Sequence, residues 1–99
     1  MRAHALEIVG GRAVLGRDAT TGRFMIEAIR RGLPTRAVDH LIESGRLNAS
    51  EIDAVVLPRK TLSHRRQIGT LTADQSDRLM RAARVIAAAE ETFGSQEKA

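Results

Sequence analysis

The sequence predicts an all-α fold, a small helical bundle that follows an irregular N-terminal arm. Hydrophobic residues make up 42% and charged residues 28% of the 99 residues, a balance that supports a folded core in one small domain. From residue 24 onward the apolar side chains recur at helical spacing, and glycine, proline and capping residues divide the chain into short segments. Because the chain has no cysteine, non-covalent contacts must hold these segments together.

The arm, residues 1–20, has the least regular pattern. Gly10, Gly11 and Gly16 interrupt short apolar pieces, which predicts irregular backbone with a short strand. After Thr21 a first helix is predicted, which ends at Gly32. Its apolar face consists of Phe24, Met25, Ala28 and Ile29.

Four further helices are predicted from their start and stop signals. Pro34 suits the first turn of a second helix over residues 35–45. Asn48 and Glu51 have capping-box spacing and open a third helix over residues 50–56. Pro58 ends that helix and is expected at the first helical position of a fourth, over residues 58–67. Thr72 and Gln75 form the capping box of a fifth helix over residues 73–92, which Gly94 stops.

The fourth predicted helix carries the net charge of the whole chain. Four basic and no acidic residues lie between residues 58 and 68, which equals the formal net charge of +4. No acidic residue stands four positions from any of these cations, as it commonly does on a merely solvated helix. A basic helix without internal partners indicates a surface for an anionic ligand, although a solvated helix remains the alternative.

Residues 50–68 have the order of a helix-turn-helix, with a short helix, a turn at Leu57 and Pro58, and the basic helix. The short helix is apolar at Ile52, Val55 and Val56, which are expected to pack inside, and the basic helix is expected to bury only Leu62 and Ile68. The N-terminal end of the basic helix is also expected to offer free N–H groups to a phosphate.

Cations can bind DNA phosphates, and the polar side chains beside them can read base edges in the major groove. Eight residues on or beside one side of the basic helix therefore form the predicted DNA-binding surface. They are Arg59, Lys60, Thr61, Ser63, His64, Arg65, Arg66 and Gln67.

Other functions lack the residues they need. Phe24 and Phe93 are the only aromatic residues, too few to stack the bases of single-stranded nucleic acid. The three histidines lie far apart, and no catalytic set is discernible, so we expect no metal, no cofactor and no enzyme activity. No apolar run approaches the roughly 20 residues of a membrane span, and a cytoplasmic location is expected.

Arginines 78, 81 and 84 on the fifth helix allow two interpretations. Asp74 and Asp77 precede Arg78 and Arg81 by four residues, which predicts a salt-bridged helix surface. The alternative is a surface for a partner subunit or for the DNA backbone.

Two blocks of the sequence are distinctive: PRKTLSHR at residues 58–65 and SDRLMRAAR at residues 76–84. Together they resemble the Xre/MbcA/ParS family of antitoxins. Glu51-Ile52, Gly32-Leu33-Pro34 and Phe93-Gly94 are also similar to the family. The resemblance covers about residues 21–99, and the spaced pair of blocks is more specific than a general helix-turn-helix match.

The resemblance implies an antitoxin of a type II toxin–antitoxin system that represses its own operon. It also implies a RES-domain toxin as partner, an NAD-consuming protein that a separate C-terminal domain of the antitoxin blocks. The expected organisation is an N-terminal arm (1–20), a DNA-binding domain (21–94) and the start of a C-terminal toxin-binding region (95–99). A palindromic operator predicts a homodimer, with the first helix or residues 85–89 as interface.

One position departs from the usual helix-turn-helix pattern. Val56 occupies the turn position that glycine commonly takes, so an atypical turn is expected. The competing functional hypothesis is a helical adaptor that binds a protein partner without touching DNA.

Overall fold

The computed structural model describes residues 5, 7–11, 14 and 22–92. Within residues 22–92 it contains five helices, which confirms the all-α prediction. The helices are α1 Gly22–Arg31, α2 Arg36–Glu43, α3 Ala49–Val55, α4 Arg59–Ile68 and α5 Ala73–Thr92. Each begins and ends within two residues of its predicted position.

Side-chain caps fix the start of α3 and of α5 as predicted. The Glu51 N–H donates to Asn48 Oδ1 at 2.8 Å, and the Asn48 N–H donates to Glu51 Oε1 at 2.8 Å. At α5 the Gln75 N–H donates to Thr72 Oγ1 at 3.1 Å, and the Thr72 N–H donates to Gln75 Oε1 at 2.9 Å. Both boxes satisfy backbone donors that a helix leaves unpaired, so local sequence alone sets these two boundaries.

The core lies where α5 packs against α1 and α3. Four apolar residues of α5 are buried in it, and Ile86 is partly buried beside them. The four are Leu79, Met80, Ala83 and Ala87. Because α5, the longest helix, packs against α3, and α3 in turn contacts α4, the long helix supports the basic helix through α3.

The described residues of the arm contribute to the same core. Ala5, Ile8 and Val9 are buried among the core residues. A short strand was expected in this segment, but none of the described arm residues is in a strand, and Ala5, Glu7 and Ile8 are helical. The predicted helix stop at Gly94 lies outside the described residues, as does the side chain of Phe24.

Two linkers meet in a short antiparallel bridge that joins α1 and α2 to α4 and α5. The Leu71 N–H donates to the Leu33 carbonyl at 2.8 Å, and the Thr35 N–H donates to the Gly69 carbonyl at 3.0 Å. The buried hydroxyl of Ser76 completes the junction, since it accepts from the Leu33 N–H at 2.8 Å and donates to the Thr72 carbonyl. The C-terminal end of α4 is therefore attached to the N-terminal end of α2.

Candidate DNA-binding surface

The turn between α3 and α4 is built without glycine. Val56 ends α3 with φ −105° and ψ −62°, and both Val56 and Leu57 are buried. A negative φ is open to any L residue, so a valine fits where many such turns need glycine. The chain then reverses through extended backbone at Pro58, with φ −60° and ψ 150°.

Pro58 caps α4 from outside the helix, so the prediction that it is the first helical residue is wrong by one position. Its side chain has no hydrogen-bonding group, and the carboxylate of Asp53 on α3 acts instead. Asp53 Oδ1 accepts from the Arg59 N–H at 2.6 Å. We expected the N-terminal end of α4 to offer free N–H groups to a phosphate, but Asp53 already occupies one of them.

The outer side of α4 is polar and open. Leu62 is the buried residue of this helix, and Ile68, expected inside, is 54% exposed. Six of the predicted DNA-binding residues have exposed or partly exposed side chains that make no side-chain hydrogen bond or ion pair within the described part of the chain. They are Arg59, Lys60, Thr61, Ser63, His64 and Gln67, of which Thr61 is half-buried.

The other two predicted residues, Arg65 and Arg66, hold α4 to the rest of the protein. Arg65 is half-buried, and its Nε donates to the Thr70 carbonyl at 2.8 Å. The guanidinium of Arg66 forms an ion pair with Asp39 on α2, at an Nη2–Oδ1 distance of 2.6 Å. The cations of α4 lack acidic partners within their own helix, as the sequence indicated, but one partner comes from α2.

Sequence reasoning missed Asp39, Asp53 and Thr70. Asp39 is 27 positions from Arg66, and no periodicity or motif connects the two. The signal for Asp53 was present, because an acidic residue shortly before a proline-started helix can cap it when proline itself cannot.

The three arginines of α5 also differ in whether an acidic side chain pairs with them. Arg78 pairs with Asp74 at 2.9 Å and Arg81 pairs with Asp77 at 3.0 Å, as the spacing predicted. Arg84 is exposed and makes no ion pair with any described residue. The salt-bridged interpretation therefore holds for two of the three arginines.

The described residues provide neither a metal site nor a membrane-spanning helix. No group of three or more metal-ligating side chains comes together in the part of the chain described, and His4 lies outside it. Within the same ranges no helix has the length and apolarity needed to cross a membrane.

A short helix, a buried turn and an exposed basic helix, supported by a long core helix, define a helix-turn-helix domain. Residues 24–84, more than half of the chain, match the family described as the antitoxin Xre-like helix-turn-helix domain. The chain therefore belongs to this family of DNA-binding antitoxin domains. Searches of curated proteins and of solved structures each return no significant match.

Proposed function

We propose that this chain is the operator-binding antitoxin of a type II toxin–antitoxin system and represses its own operon. In this proposal α4 is the recognition helix and lies in the major groove of double-stranded DNA. A cytoplasmic location, where operator DNA is accessible, is part of the proposal. Neutralisation of a RES-domain toxin is proposed only for a polypeptide that carries the C-terminal toxin-binding region.

The observation that carries the proposal is the composition of the exposed side of α4. Arg59 and Lys60 stand at its N-terminal end, where recognition helices commonly approach the bases. Ser63, His64 and Gln67 follow along the helix with exposed side chains that can donate and accept hydrogen bonds. Cations for phosphate beside polar groups for base edges are the combination that operator recognition needs.

We assign a contact with the DNA to each group of side chains on this surface. Arginine can bind guanine through two parallel hydrogen bonds, so Arg59 is the proposed base reader. Lys60 is the proposed phosphate contact, since its ammonium is a flexible point charge. Thr61, Ser63, His64 and Gln67 complete the contact surface, and Arg65 and Arg66 border it.

Operators of helix-turn-helix proteins are commonly palindromic, and a homodimer matches that symmetry. Two copies of α4 would then enter successive major grooves about 34 Å apart. The homodimer is part of the proposal.

The adaptor hypothesis has one observation in its favour, the exposed apolar side chains outside α4. Val85 on α5 is 70% exposed and Ile26 on α1 is 60% exposed, which suits a protein partner. Such a partner can be a second copy of the chain, so these side chains are compatible with both hypotheses.

Binding to DNA as a function of salt separates the two hypotheses. The probe is the promoter fragment upstream of the gene for this chain, and the control is an unrelated duplex of equal length. We expect the promoter to bind more tightly, with affinity that falls steeply between roughly 50 and 200 mM salt as counterions return to the phosphates. Equal, weak binding of both duplexes at every salt concentration would refute operator recognition and favour the adaptor.

A further inference from the structure

We infer that Asp39 is a positioning residue for DNA recognition: by holding Arg66 it fixes the orientation of α4 on the body of the protein. This inference rests on the proposed function, because orientation matters only if α4 reads DNA. It assigns a role in DNA binding to an acidic residue, which would repel phosphate if it faced the DNA directly.

Apolar packing alone holds α4 weakly. Leu62 is its one buried residue among ten. A cleft of about 120 Å³ lies beside it, and Ile42 of α2 and Ile52 of α3 form part of the cleft wall. A helix with one buried side chain and open space along its inner face can tilt about that anchor at little cost in packing energy.

Polar contacts at both ends replace the missing packing. At the N-terminal end the carboxylate of Asp53 binds the Arg59 N–H. At the C-terminal end Arg65 holds the Thr70 carbonyl, while Arg66 reaches Asp39 across the gap to α2. Among the described residues, only the Arg66 contact joins α4 to a different helix through two charged side chains.

Asp39 is a firm attachment point because α2 is firmly seated. Ala37, Val38 and Leu41 on the same helix are each 0% exposed. The backbone of α2 therefore cannot follow a movement of α4 without disturbing the core. An ion pair from this helix to Arg66 restrains α4 relative to the core itself.

The restraint acts at one end of α4, and the proposed base reader lies at the other. Seven residues separate Arg66 from Arg59, which is about 10 Å along the axis. Leu62, the anchor about which α4 can tilt, lies three residues or about 4.5 Å from Arg59. A tilt of about 10° then moves the backbone at Arg59 by roughly 0.8 Å, enough to stretch a hydrogen bond of about 2.9 Å beyond its usual limit. Loss of the ion pair should therefore weaken operator binding even though neither partner contacts a base.

Asp39→Asn tests this inference because a positioning role predicts a loss of affinity for the promoter, whereas removal of a negative charge alone predicts a gain. Glu43→Gln is the matched control, since Glu43 is an exposed acid on the same helix with no ion pair to any described residue. Each variant removes one negative charge, which by itself strengthens DNA binding. If Asp39 positions α4, Asp39→Asn instead lowers affinity for the promoter duplex about two- to fivefold, while Glu43→Gln causes no loss.

Three further readouts distinguish positioning from general damage. The salt dependence of Asp39→Asn should match that of the wild type, because no phosphate contact is lost. Affinity for the unrelated duplex should not fall, and Asp39→Glu, which keeps the carboxylate, should recover most of the promoter affinity. If the Asp39→Asn variant binds the promoter as tightly as the Glu43→Gln variant does, the ion pair does not position α4 for DNA binding and the inference is wrong.

A double-mutant cycle on unfolding by urea, with Asp39→Asn and Arg66→Gln, measures the ion pair without DNA. Suppose that the two substitutions are coupled in stability but the wild-type protein binds the promoter no more tightly than the unrelated duplex. The ion pair would then be real, and the proposed function would be wrong. Absence of coupling, with normal promoter binding by the wild type, would overturn the positioning role and leave the proposed function intact.

Discussion

Gly32 shows how two separate demands can fix a single residue. Its φ of +98° lies in the region that L side chains rarely adopt. A Cβ at this position would also stand 2.0 Å from the carbonyl oxygen of Leu71, which is backbone and cannot rotate away. Gly32 therefore permits both the end of α1 and the bridge between the two linkers.

Gly32→Ala should destabilise the protein more than Gly45→Ala. Gly45 also has a positive φ, +79°, but a Cβ there meets nothing within 4 Å. The control variant should lose about 1 kcal/mol for the backbone conformation alone. Gly32→Ala adds displacement of Leu71, for a total of at least about 2 kcal/mol, read as a lower midpoint in urea unfolding. Equal losses for the two variants would show that the linkers are not tightly joined.

The sequence was least informative about the roles of individual cations on α4. Four cations without acidic neighbours looked equivalent, but tertiary contacts separate Arg65 and Arg66 from Arg59 and Lys60. Their partners lie on a loop carbonyl and on α2, and no local pattern encodes either contact. The role of each cation on a helix surface therefore depends on packing that only the fold defines.

At the scale of elements, the predictions were accurate where local chemistry decides the outcome. The capping boxes at Asn48 and Thr72 were predicted correctly because each depends on a few adjacent residues. Burial was less predictable. Val55 and Ile68 are apolar and were expected inside, yet they are 52% and 54% exposed because both short helices bury few of their residues.

In the α3–α4 unit, too, local sequence predicts some features and tertiary contacts determine the others. Its existence followed from Pro58 and from the change from apolar to basic residues. Its geometry depends on the cap from Asp53 and on the buried Val56 and Leu57. The eight predicted surface residues all lie on α4, and the structure separates the six with open side chains from the two that hold the helix in place.

At the scale of the whole molecule, α5 offers a surface that suits a second copy of the chain. Val85 is the most exposed large hydrophobic residue described, and Ala88 lies near it on the open side of the helix. Arg84 and Glu91 are exposed, make no ion pair with a described residue, and lie two turns apart on one flank. In an antiparallel pair of α5 helices, each arginine would meet the glutamate of the other copy.

A charge exchange tests this arrangement. Arg84→Glu and Glu91→Arg should each weaken the proposed dimer, because like charges would then meet twice across the two-fold axis. The variant that carries both substitutions should recover dimerisation, measured by analytical ultracentrifugation over a range of concentrations. If all three variants dimerise like the wild type and Ile26→Asp alone is monomeric, the interface lies on α1 instead.

The central claim is that the exposed side of α4 reads operator DNA. The most direct measurement is the change in backbone amide chemical shifts when ¹⁵N-labelled protein is titrated with the promoter duplex. The proposed surface predicts that the largest changes fall on residues 59–67, with smaller ones at Asp53 and Asp39, whose contacts hold that helix. Changes concentrated on α5, with α4 unaffected, would contradict the account.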